Sequence, residues 1–96
     1  MQLTDNTIFI TGGTSGIGRA LAEAFHKLGN RVVISGRRKA LLEEVTALNP
    51  GMRWVELDIT SPDSIRAAAE HLTREYPDLN VLVNNAGIMP FDDAAG

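Results

Sequence analysis

The chain has no cysteine among its 96 residues. That excludes a disulfide framework and any thiolate metal site. Its two histidines, His26 and His71, fall far apart on separate predicted helices, without the spacing of metal ligands. Basic charge is not in excess: nine Lys and Arg stand against twelve Asp and Glu, for a net charge of −3. This argues against a nucleic-acid partner, which calls for a basic stripe or surplus. Long apolar runs are missing as well. None approaches the ~18–20 residues of a membrane span, so no membrane partner is expected. The opening "MQLTDNT" lacks the basic and apolar segments of a secretory signal, and a cytoplasmic protein is the expectation. Repeats, low-complexity tracts and linkers are also lacking. What remains, 44% hydrophobic and 22% charged residues, is ordinary for one small globular domain.

Strands and helices alternate along the chain. Thr7 to Thr11 ("TIFIT") is short, β-branched and aromatic, and ends at glycine, which predicts a buried strand. From Gly16 the apolar residues Ile17, Leu21, Ala24, Phe25 and Leu28 recur at helical spacing, and Gly29 sits where a glycine closes a helix. Arg31 to Ser35 is a second strand. Arg38 to Leu48 is a second helix, with Ala40, Leu41, Val45 and Leu48 as its inward stripe. Asn49-Pro50-Gly51 signals a turn. Met52 to Leu57 is a third strand, and its alternation suits a less buried edge. Ser61 can cap a third helix with Pro62 at its first position, and Ile65, Ala68, Ala69, Leu72 and Tyr76 give that helix a face. Leu79 to Val83 is a fourth strand. Strands separated by helices run parallel with crossovers, and the apolar strands one, two and four predict helices on both faces of the sheet.

Between the first strand and first helix lie Gly12, Gly13, Gly16 and Gly18. A glycine-rich turn there brings a helix N-terminus, with its unpaired N–H groups and partial positive charge, to the carboxyl edge of the sheet, where it suits a phosphate. Gly12 makes the tight turn, Gly16 lets a ligand approach, and Gly18 lets the helix pack closely. Thr14 and Ser15 can cap the helix or donate to phosphate. The plainer alternative is a tight turn whose glycines serve backbone geometry alone.

The spacing Thr11-Gly12-Gly13-Thr14-Ser15-Gly16-Ile17-Gly18, Thr-Gly-x-x-x-Gly-x-Gly, resembles the classical short-chain dehydrogenase/reductase family. Asn84-Asn85-Ala86-Gly87 after strand four and Asp58 after strand three agree with that family, and "EYPDLNVLVNNAGIM" is similar to its DltE-type oxidoreductase branch. The resemblance implies an α/β fold: a Rossmann-type three-layer αβα arrangement with a parallel sheet of order 3-2-1-4, here the incomplete N-terminal half of a doubly wound fold. It implies that residues 1–96 are the dinucleotide-binding part of a larger single-domain oxidoreductase. The cofactor-binding residues it implies are Gly12, Thr14, Ser15, Gly16, Ile17, Gly18, Arg37, Arg38, Asp58, Ile59, Asn85, Ala86 and Gly87. Asp58 would lie beside the adenine, or else only stabilise the turn before Ser61. The asparagines would combine structural and binding roles.

Strand two ends in Ser35-Gly36-Arg37-Arg38-Lys39, without an acid to accept from the ribose 2′-hydroxyl of NAD. Arg37 can pair with the 2′-phosphate of NADP and stack on adenine. Three cations at a helix start oppose its dipole by about 0.3–1 kcal/mol each unless an anion joins them. NADP is the expected cofactor, NAD the less favoured one. Many NADP-preferring members of the family carry a basic residue at the Ser15 position, so Arg37 is expected to do most of this work. The family's Ser, Tyr and Lys catalytic residues have no match. The one tyrosine, Tyr76, has Asn80 where Tyr-x-x-x-Lys requires lysine. The resemblance thus implies hydride transfer between NADP(H) and a carbonyl or alcohol substrate in a complete, homo-oligomeric enzyme, with no catalytic residue in this chain. The alternatives are a non-catalytic nucleotide-binding module and an interaction module that pairs through strand four.

Overall fold

The computed structural model describes residues 4–14 and 16–84. Four parallel strands form one sheet: β1 (Thr7–Thr11), β2 (Arg31–Gly36), β3 (Arg53–Glu56) and β4 (Val81–Asn84), in the order β3-β2-β1-β4. The connecting helices are α1 (Gly16–Lys27), α2 (Lys39–Leu48) and α3 (Pro62–Glu75). The expected order 3-2-1-4 is therefore observed, with β3 outermost on its side.

Side chains alternate across each strand and divide the core in two. Ile8, Ile10, Val32 and Ile34 pack with Ala22 of α1, Leu42 and Val45 of α2, and Met52. Phe9, Val33 and Val55 face the other way, onto Ala68 and Leu72 of α3. The sheet is thus covered on both faces, and each fully buried aliphatic side chain contributes roughly 1.5–3 kcal/mol of burial energy. The chain steps outward from β1 to β2 to β3, and α3 then carries it back across the sheet to β4. Direction of progression reverses between β1 and β4.

The helices bury a narrower stripe than their apolar spacing predicts, with Val45, Ala68 and Leu72 inside as expected. Ile17 is 73% exposed, and Leu28 is also exposed; α1 buries Gly18 and Ala22 instead, with Leu21 and Phe25 half-buried. On α2 the anchor is Leu42, whereas Leu48 is 63% exposed and Ala40 faces solvent. Ile65 and Ala69 of α3 are likewise exposed. Each apolar set is wider than the stripe that meets the sheet, so residues at its margin or at a helix end find nothing to pack against. Strand four begins two residues later than expected, because Leu79 N–H closes a turn on the Tyr76 carbonyl.

Opposite the glycine turn, at the amino edge of the sheet, three asparagines lock the central strands. Asn30 Oδ1 accepts from both Asn6 N (3.0 Å) and Asn6 Nδ2 (3.2 Å). Asn80 Nδ2 donates to Asn6 Oδ1 (2.9 Å), and Asn80 Oδ1 accepts from Thr7 N (2.8 Å). Asn30 Nδ2 also donates to the Phe25 carbonyl (2.9 Å), fixing the end of α1. On the α1/α2 layer, Glu23 accepts from Arg19 Nε (3.3 Å) and from the buried Asn49 amide (3.1 Å), which holds α1 to the C-terminal cap of α2.

Two contrasts test this packing. Asn30→Ala strands buried partners and should cost about 1–3 kcal/mol, whereas Arg31→Ala, which removes the exposed Arg31–Asp78 pair, should cost no more than about 1 kcal/mol; urea unfolding measures both. The Glu23 carboxyl is held below its ordinary value of 4.5 by the Asn49 amide first and then by Arg19. Its stabilisation is present above the ordinary value and is lost as pH falls through the lowered one. The stability difference between wild type and Glu23→Gln should therefore shrink over that acid range; a difference independent of pH refutes the role given to the carboxylate.

Candidate cofactor site

Three connections meet at the carboxyl edge of the sheet. The β1–α1 turn, the end of β2 with the start of α2, and the residues after β3 enclose a cleft of about 490 Å³. Sequence placed Gly12, Thr14, Arg37, Arg38, Asp58 and Ile59 at such a site, and all six line it. Gly16, Ile17 and Gly18 form the adjacent first turn of α1. Ser15, Asn85, Ala86 and Gly87 lie outside the described residues.

The floor is built from backbone. Ser35 O accepts from Gly12 N (3.0 Å) and Gly13 N (3.2 Å), and Gly36 O accepts from Leu57 N (2.8 Å). Ser35 Oγ donates to Ile10 O (3.3 Å), so this buried hydroxyl is spent on the sheet. Gly12 (φ 74°) and Gly16 (φ 59°) occupy left-handed conformations, which glycine adopts without strain. A Cβ on Gly16 would meet no atom of the described residues within 4 Å, and α1 has no acidic residue in its first turn. A helix start of this kind, with unpaired N–H groups and no acid, suits an anion. Gly13 has no such clearance. A Cβ there would lie 2.5 Å from Ile34 Cγ2 and 2.7 Å from Ile34 Cβ.

The cationic wall comes from β2 and α2. Helix α2 begins at Lys39, with Arg38 as an extended N-cap that makes no side-chain capping bond, and its first turn also lacks an acid. Facing it, Asp58 Oδ1 accepts from Thr60 N (2.9 Å) and Thr60 Oγ1 (2.6 Å). Asp58 N donates to Ser64 Oγ (2.9 Å), and Ser64 N donates to the cap Ser61 Oγ (3.3 Å). Asp58 therefore both shapes its turn and lines the cleft. Its carboxyl is held below its ordinary value of 3.8 by the Thr60 hydroxyl first, then the Thr60 amide, with Arg37 adding a smaller electrostatic contribution against partial desolvation.

Sequence reasoning missed Leu41, Leu57 and Thr60, which complete the lining with Ser35 and Gly36 of the acid-free strand end, and it gave Gly13 no role. Thr60, two residues beyond an aspartate, was the one carrying a local signal. Tyr76 caps the C-terminus of α3 and stands edge-on to His71 at 6.3 Å. It lines grooves with Arg31, Gly51 and Arg53 at the other edge of the sheet. Among the described residues no cluster of metal-ligating side chains occurs, and no helix is long and apolar enough to cross a membrane.

Packing at the turn is testable by two substitutions. Gly13→Ala drives a methyl into the fully buried, β-branched Ile34 and should cost about 1–3 kcal/mol. Gly36→Ala meets its nearest atom, Thr14 Cγ2, at 3.4 Å and should stay within about 0.5 kcal/mol of wild type. Equal melting temperatures for the two variants would remove the role of Gly13.

The model of the short chain dehydrogenase family matches residues 6–95. An uncharacterized oxidoreductase, DltE, of Bacillus subtilis is 46% identical over 88 residues, covering 92% of this chain and 35% of that protein. An NAD-dependent glycerol dehydrogenase of Listeria innocua is 30% identical over 94 residues, covering 97% of this chain and 37% of that one. The crystal structure of a short chain dehydrogenase from Bacillus anthracis superposes with a TM-score of 0.79 at 36% identity, over 88% of this chain and 36% of the other. The chain thus spans about a third of the length of the curated relatives it matches. With the glycine turn, sheet order and family model in agreement, the chain belongs to the short chain dehydrogenase family.

Proposed function

We propose that this chain is the N-terminal, cofactor-binding part of an NADP-dependent oxidoreductase that moves a hydride between NADP(H) and a carbonyl or alcohol substrate. Family membership supports a dinucleotide and leaves its identity open, since one relative is named for NAD. The observation that carries NADP is the wall of the cleft at the end of β2. Ser35 and Gly36 offer no carboxylate there, and Arg37 and Arg38 flank them at an acid-free helix start. A carboxylate at that point would repel a 2′-phosphate, whereas a guanidinium pairs with it through two parallel hydrogen bonds.

The residues fit the cofactor in their donors and their shape. The start of α1 at Gly16 suits the pyrophosphate, Arg37 and Arg38 the 2′-phosphate, and Leu41, Leu57 and Ile59 give apolar walls to a flat base. When bound, the nicotinamide supplies the hydride chemistry. These residues bind and orient. Proton transfer to the substrate oxygen is assigned to groups beyond these 96 residues, because Tyr76 stands away from the cleft and has no lysine four positions on. A cytoplasmic homo-oligomer goes with the same reading.

Arg37→Asp should weaken NADP binding by about 10- to 100-fold, the worth of hydrogen bonds to a charged partner, and leave NAD binding equal or improved. Fluorescence titration of both cofactors against both proteins decides it. Equal NADP affinity in the two removes Arg37 from the role.

A further inference from the structure

Asp58 and Arg37 have opposite charges and line the same cleft, yet the four ion pairs among the described residues all lie elsewhere. Arg37 acts on the Asp58 carboxyl electrostatically, as the smallest of its influences, without forming an ion pair with it. A carboxylate in the same cleft as a long, exposed guanidinium can close on it unless something holds it elsewhere. Here the holder is visible. Thr60 gives Asp58 Oδ1 two hydrogen bonds, of which the hydroxyl's is the shorter at 2.6 Å. A hydroxyl bonded to a carboxylate at that length is in the strong, charge-assisted range.

The rest of the loop keeps Thr60 in place. Leu57 is buried and its N–H is bonded to Gly36 O; Ser61 N donates to Asp58 O (3.0 Å), and Asp58 N is held by Ser64 of α3. The anchor is therefore a fixed part of the β3–α3 connection. The ordering of effects on the Asp58 carboxyl points the same way, with the Thr60 hydroxyl first and the Arg37 charge last.

We infer that Thr60 is a positioning residue for cofactor choice: its hydroxyl restrains the Asp58 carboxylate from pairing with Arg37, and so keeps that guanidinium available for the ligand's 2′-phosphate. This rests on the reading of the cleft as an NADP site. Without the hydroxyl, Asp58 becomes an internal competitor for Arg37. The competition falls mainly on a ligand that needs Arg37, so it lowers NADP binding more than NAD binding and shifts the ratio of the two. A merely structural loss would weaken both cofactors alike.

The experiment measures dissociation constants of NADP and NAD in the full-length protein and takes their ratio. Thr60→Val removes the hydroxyl and keeps the backbone N–H bond; Thr60 is exposed, and Thr60→Ala serves as a second variant of the same kind. Both should lose about 3- to 10-fold of the NADP preference, the worth of one net hydrogen bond, while Thr60→Ser stays within about twofold of wild type. Adding Asp58→Ala to Thr60→Val should restore the ratio to that of Asp58→Ala alone, because the competitor is gone. A preference that persists in Thr60→Val and Thr60→Ala overturns the role of Thr60 and leaves the cofactor reading standing. So does a lost preference that Asp58→Ala fails to restore. A wild-type protein with no preference for NADP overturns the cofactor reading itself, and the role of Thr60 falls with it.

Discussion

The carbonyl of Ser35 receives the N–H groups of both Gly12 and Gly13, and much of the site depends on that junction. It joins the first crossover turn to the end of the neighbouring strand. The junction forms only because Gly13 has no side chain and can lie on Ile34. Once it forms, α1 is aimed with its N-terminus over the carboxyl edge of the sheet, and the end of β2 is held beside it. Two binding elements that are distant in sequence are thereby set in register before any ligand arrives. In a family that binds dinucleotide cofactors, such preorganisation reduces the ordering that binding must supply.

The sheet has a second lock at its amino edge. There Asn6, Asn30 and Asn80 satisfy one another across β1, β2 and β4, with no charge spent. The two edges are built differently for a physical reason. The amino edge is shut by amide side chains bonded to one another and to the Phe25 carbonyl and Thr7 N–H, beside the exposed Arg31–Asp78 pair. The carboxyl edge is tied by backbone groups and lined with Arg37, Arg38 and apolar walls, the two arginines in no ion pair among the described residues. The carboxyl edge thus has its frame tied by backbone while its charged side chains line the cleft.

Charge within the cleft is unequal by design of the three loops. Arg37 and Arg38 come from one loop, and Asp58 comes from another with its carboxylate already engaged by Thr60. Such an arrangement attracts a phosphate to one side and offers a hydrogen-bond acceptor to the other. It also keeps the two sides from neutralising each other across a cleft partly open to water.

The one-dimensional pattern determined the order of strands and helices, the glycine turn after β1, the basic, acid-free end of β2 and the aspartate after β3. These are local signals: each is a few neighbouring residues whose conformational limits or charge act wherever the chain folds. The absence of a Tyr-x-x-x-Lys pair was legible in the same way. Sequence also placed Val45, Ala68, Leu72 and the apolar strands inside; the tertiary structure alone decided where each helix's buried stripe lies and ends. Leu42 replaced Leu48 as an anchor of α2, and Ile17 emerged into solvent, because spacing defines a stripe and only the sheet defines where the stripe meets it. The same holds for the Asn6–Asn80 bond between residues 74 apart, for Gly13 against Ile34, and for Leu41, Leu57 and Thr60 in the lining. Each is a contact between elements that sequence proximity does not bring together, so its energy exists only once the strands have paired.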